Sequence, residues 1–129
     1  MRLLTALFLL LPALAQAQES TNMSGEWKCE YSARHSADHT KTSAMWFQVM
    51  LDEEGTFKGG GKSNTLGLVT KNVLSGDWSW NDETLMLDGK SLSPLGELPF
   101  VFAVDRGPDG KMDREWVRNE VENSTRCIR

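Results

Sequence analysis

SGEWKCEY, residues 24–31, places Trp27, Cys29 and Tyr31 on one side of an extended chain and Glu26, Lys28 and Glu30 on the other. Strict alternation of this kind is the signature of a strand with one face buried and one face in water. Working outward, Ala44 to Leu51 forms a second apolar strand, and Asp52-Glu53-Glu54-Gly55 turns it into Thr56 to Lys62. Leu66 to Leu74 follows, Ser75-Gly76 suggests a bulge, and Asp77 to Trp80 pairs through Asn81-Asp82-Glu83 with Thr84 to Asp88. Pro94 and Pro99 bracket a loop before Phe100 to Asp105, and Arg106-Gly107-Pro108-Asp109-Gly110 turns the chain into Lys111 to Arg118. Short strands with turn signals at this spacing predict an all-β fold, an antiparallel barrel or sandwich. Over residues 111–123, Met112, Trp116, Val117 and Val121 also fit a helical stripe, so a short C-terminal helix competes with a last strand there.

The glycine-rich stretch EEGTFKGGGKSNT, residues 53–65, ends in a Gly-Lys-Ser sequence that invites a phosphate-loop reading. That loop requires G-x-x-x-x-G-K-[ST], and counting back from Gly61 puts Thr56 where the first glycine belongs. Gly55 instead serves the hairpin turn, and Gly59-Gly60-Gly61 lets a strand bend or lie close to another backbone.

Met1-Arg2, the apolar run Leu3 to Leu14 and the small-x-small Ala15-Gln16-Ala17 make a secretory leader over residues 1–17. The run is too short to span a bilayer, which takes about 20 residues. Cleavage after Ala17 leaves 129 − 17 = 112 residues, one domain over 18–129. Arg2 leaves with the leader, so the formal charge becomes 13 − 18 = −5, which argues against nucleic-acid and anionic-membrane partners. The expected location is periplasmic or secreted, and in such a compartment Cys29 and Cys127 form a disulfide. A redox or metal-binding pair would instead need close spacing such as C-x-x-C.

The strand opening Ser24-Gly25-Glu26-Trp27 resembles the G-x-W start of lipocalins and related calycin barrels. The stretch Phe47 to Phe57, then Gly76-Asp77-Trp78 and Leu85-Met86-Leu87, is similar to bacterial exported lipocalin-like domains. The resemblance covers most of the mature chain as a pattern and lacks the T-D-Y element of classical lipocalins. It implies an up-and-down barrel of about eight strands in which Trp27 plugs the closed end against a late arginine, Arg126 or Arg118.

Two polar groups invite metal readings. His35 and His39 flank Asp38 at i, i+4 spacing, but the two other ligands that zinc or copper needs are missing. Asp105, Asp109, Gly110 and Asp113 suggest calcium, yet Gly107 and Trp116 stand where the EF-hand loop wants a ligand and a glutamate. We expect no metal, no cofactor and no catalytic residues. Five tryptophans are many for a domain of this size, and Trp78 with Trp80, like Phe100 with Phe102, share a strand face. Trp27 is read as core. The expected function is an exported, non-enzymatic binding protein holding a small apolar molecule, lined by Trp46, Trp78, Trp80, Phe100 and Phe102. The alternative is a periplasmic inhibitor or immunity protein that plugs a hydrolase or toxin with Arg34, His35, Asp38 and His39.

Overall fold

A computed structural model describes residues 23–129, and the expected leader with its cleavage after Ala17 lies outside the described residues. Eight strands succeed one another: β1 Gly25–His35, β2 Thr42–Leu51, β3 Thr56–Thr65, β4 Leu68–Trp80, β5 Thr84–Ser93, β6 Gly96–Arg106, β7 Met112–Arg118 and β8 Val121–Ile128. Each pairs antiparallel with the next, and β1 also pairs with β8, so the sheet closes into an up-and-down ring.

The first strand keeps the face assignment that its alternation predicts. Trp27 and Cys29 are buried, while Glu26 and Lys28 face water. The same alternation continues around the ring through Phe47, Val49 and Leu51, then Phe57, Leu74, Leu85 and Leu87, to Phe100, Phe102 and Val104. Phe47 meets Phe102 and Phe100 edge-on with ring centroids 4.9 and 5.4 Å apart. These contacts fill the half of the ring nearest Trp27. Cys29 and Cys127 are directly opposite one another on β1 and β8, point inward, and are disulfide-bonded.

Trp27 donates its indole N–H to the carbonyl of Met23 at 2.8 Å, and a guanidinium lies 4.5 Å above its ring. That cation belongs to Arg129. Arg126 faces outward and pairs with Glu30 at 2.8 Å, and Arg118 ends β7 at the opposite end of the ring.

Three expectations are corrected. Residues 111–123 form no helix: β7 pairs along its length with β8 through Asn119-Glu120, a two-residue turn with φ of 51° and 63°. A helix would have had to bury Val117, which is left in water here, whereas the hairpin needs only Met112 inside. Ser75-Gly76 is no bulge, because the register runs through it unbroken to β3 and to β5 within a single thirteen-residue β4. Gly76 is needed for another reason: a Cβ there would lie 2.3 Å from the carbonyl oxygen of Asp88. Finally, β6 begins at Gly96 and includes Pro99, which the sequence places in a loop. The expected role of the glycine triplet holds, since a Cβ on Gly59 or Gly61 would come within 1.9 or 1.8 Å of a β2 carbonyl oxygen.

Towards the other end the inward positions turn polar. Asn72 donates to the Ser63 hydroxyl at 3.1 Å, Ser91 donates to Asn72, and the Tyr31 hydroxyl donates to Asn123 at 2.6 Å. The ring therefore has an apolar half and a hydrogen-bonded half.

Candidate functional site

The ring is weakest between β6 and β7. Among the described residues these strands share only the pairs Asp105↔Asp113 and Arg106↔Met112, after which they part. Residues 97–104 of β6 keep β5 on one side and have no strand partner on the other among the described residues. A carbonyl exposed in this way is costly if it is buried without a donor. At Ala103 the donor is the Thr125 hydroxyl, which reaches across from β8 at 2.6 Å.

The fork of this seam is clamped by charge. Arg114 donates to both carboxylate oxygens of Asp105, at 2.8 and 2.9 Å, and Thr84 donates to the same carboxylate at 2.6 Å. Hydrogen bonds from Arg114 first, and then from Thr84, hold the Asp105 carboxyl below its ordinary range, and the bond to Asp105 raises Arg114 above its own. A depressed carboxyl contributes stability that is present above its unfolded pKa and is lost as pH falls through the lower folded value. Asp105→Asn should therefore lower the thermal midpoint at neutral pH, and the gap from wild type should close in acid. Scanning calorimetry from pH 7 to pH 3 checks this, and an unchanged gap across that range would show that the clamp contributes nothing through its charge.

Where the strands part, a cavity of about 410 Å³ opens through the wall. Tyr31, Met45, Phe100, Phe102 and Trp116 give it an apolar lining, and Arg114 and Thr125 supply its polar groups. Tyr31 and Trp116 have ring centroids 6.4 Å apart, and burial pushes the Tyr31 hydroxyl up from its ordinary pKa. A volume of this size suits a small molecule or one large apolar group.

The expected lining residues separate into three places. Phe100 and Phe102 do border the cavity. Trp78 and Trp80 pack on the core at the Trp27 end, where the Trp78 indole donates to the carbonyl of Asp52 at 2.8 Å and Arg106 lies 5.3 Å over Trp80. Trp46 faces outward on β2 and is 51% exposed. Its side chain stands on the other side of the sheet from the interior, because Phe47, its neighbour, pairs with the inward-facing Cys29. The sequence does not mark Tyr31, Met45, Arg114, Trp116 or Thr125 as lining. Alternation puts Tyr31 on the Trp27 face, and that signal could have found it.

The polar candidates lie at the opposite rim. Arg34 pairs with Glu122 at 3.2 Å, and His35 faces Glu120 at 3.6 Å, so the β1–β2 loop is tied to the β7–β8 turn. The His35 Nδ1 accepts the backbone N–H groups of Ala37 and Asp38, in a turn and not a helix. The helical spacing that would bring His35 and His39 together is therefore absent. Asp38 accepts from Thr40, whose hydroxyl and N–H hold its carboxyl low. Asp109 accepts the N–H of Lys111 within the β6–β7 turn, while Asp105 is engaged by Arg114. No group of three or more metal-ligating side chains comes together among the described residues.

No protein-family model matches this chain, and no curated protein or solved structure is detectably similar to it.

Proposed function

We propose that this protein is an exported, non-enzymatic binding protein that takes a small apolar molecule into the seam between β6 and β7. The observation that carries the reading is the aromatic and thioether lining of a cavity that reaches the surface through an unpaired stretch of wall. Its polar groups are already committed, Arg114 to Asp105 and Thr125 to a backbone carbonyl, which suits orienting a ligand better than reacting with one. The disulfide is compatible with an oxidising compartment outside the cytoplasm. Burying about 200 Å² of apolar ligand surface contributes about 5 kcal/mol before the costs of association, which corresponds to a dissociation constant of roughly 0.2 mM, so tighter binding needs a ligand that buries more surface.

Titration with a fatty acid, an isoprenoid and a tetrapyrrole, followed by tryptophan emission, tests the proposal. Trp116→Ala should abolish the spectral shift and weaken binding about tenfold, as expected for an aromatic residue at the centre of a site. Trp46→Ala should leave affinity unchanged. If none of these ligands binds, and capture from the cell envelope recovers one protein that Arg34→Glu no longer holds, the inhibitor reading replaces this one.

A further inference from the structure

A second depression lies on the outer surface of the ring, over β8, β1, β2 and β3, with a volume of about 540 Å³. Its wall is Trp46, half in solvent where most tryptophans would be covered. Beside the indole, Gly60 faces outward and leaves the sheet bare, and on the register Gly60 pairs with Gln48 and Trp46 with Lys62. Lys28 and Arg126 come in from β1 and β8, together with the exposed Ile128.

Charge on this face opposes that of the whole chain. The protein carries a formal −4, yet the groove holds Lys28, Lys62 and Arg126 against one acid, Glu30, which Arg126 already pairs with at 2.8 Å. Lys28 and Lys62 make no ion pair among the described residues. Lys62 stands directly opposite Lys71 on the outer face, a like-charge cross-strand pair of the sort that costs stability. The acidic balance that argued against anionic partners thus conceals a basic face built around an exposed indole.

We propose that this groove is a second binding site, for an acidic saccharide. The indole offers a flat wall whose negative face attracts the polarised C–H bonds on the apolar side of a sugar ring. Bare backbone at Gly60 makes room for the ring to lie against it, and Lys28 and Lys62 meet its carboxylate or sulfate groups. An acidic peptide fits less well, because all four strands under the groove are paired on both sides and offer no free N–H or C=O for an added strand. Single-stranded nucleic acid draws on a series of aromatic platforms for successive bases, and this groove has one.

The test uses the full mature chain and three saccharide probes, a galacturonate tetrasaccharide, a sulfated heparin tetrasaccharide and the neutral cellotetraose, with poly-glutamate and oligodeoxythymidylate as polyanion controls. At least one acidic saccharide should bind with quenching of tryptophan emission and bind more weakly as salt is added, while cellotetraose binds at least about tenfold less tightly. Trp46→Ala and the Lys28→Glu, Lys62→Glu pair should each cost about tenfold in affinity, whereas Trp116→Ala, in the separate seam, should cost nothing. Circular dichroism and the intact disulfide check that each variant is folded. Binding of neither acidic saccharide overturns the proposal. So does equal binding of poly-glutamate or oligodeoxythymidylate with no effect of Trp46→Ala, which would make the face a simple cation surface.

Discussion

Reducing the Cys29–Cys127 bond should lower the free energy of unfolding by about 4.7 kcal/mol, as the chain-entropy treatment gives for a loop closed over a separation of 98 residues. A domain of this size has roughly 5–15 kcal/mol in total, so the reduced protein should stand close to its unfolding threshold. The location of the bond explains why the effect should be large. It joins β1 to β8, the two strands whose pairing closes the ring, and it brings together the ends of the described chain. Without it, the β1–β8 ladder must recover by itself the entropy of closing nearly the whole domain. Residual pairing in the reduced unfolded chain would shrink the difference. Urea unfolding of wild type with and without reductant, beside the Cys29→Ala, Cys127→Ala double variant, measures it. Coincident midpoints would mean that packing around Phe47 and Phe102 closes the ring unaided.

How far such contacts can be read from sequence depends on whether a strand has one polar face. In β1 the polar positions Glu26, Lys28 and Glu30 leave a single choice, and the structure keeps it. In β2 the run Ala44 to Leu51 is apolar on both faces apart from Gln48, so period two cannot by itself say whether Trp46 or Phe47 is inside. Register decides, because Phe47 pairs with the inward-facing Cys29. That is why Trp46 belongs to an outer groove and not to the interior. In β7 the adjacent Trp116 and Val117 imitate a helical stripe, and the turn that excludes a helix, Asn119-Glu120, carries no glycine to announce it. The seam has no local signal at all. It arises because β6 and β7 separate after two pairs, and each strand taken alone looks like any other. Local charge is equally hidden: Lys58 and Lys62 flank Gly60 on the outer face of β3, and a net count over the chain averages them away.

Gly61→Ala and Gly76→Ala should each cost roughly 3 kcal/mol or more, the upper part of the range for forcing atoms into a filled space. At Gly61 the added methyl would lie 1.8 Å from the carbonyl oxygen of Trp46 and 2.6 Å from the Cα of Phe47. Those are backbone atoms of the neighbouring strand, so no side chain can turn aside to make room. The β2–β3 ladder would have to separate, and it carries Phe47, Val49 and Leu51 of the core. At Gly76, paired with Gly89, the methyl would meet the Asp88 carbonyl oxygen at 2.3 Å and the Gly89 Cα at 2.5 Å. A narrow ring needs sharply coiled strands, and glycine at the bends permits neighbouring backbones to approach this closely. Gly107→Ala is the control, since its φ lies outside the left-handed region and its nearest neighbour is the Asp109 carboxylate at 3.1 Å, a side chain that can move. It should change stability by less than about 1 kcal/mol. Denaturant midpoints and slopes for the three variants decide the matter. If Gly61→Ala unfolds at the wild-type midpoint with the wild-type slope, the β2–β3 spacing has slack, and close approach is not what fixes the bend of the ring.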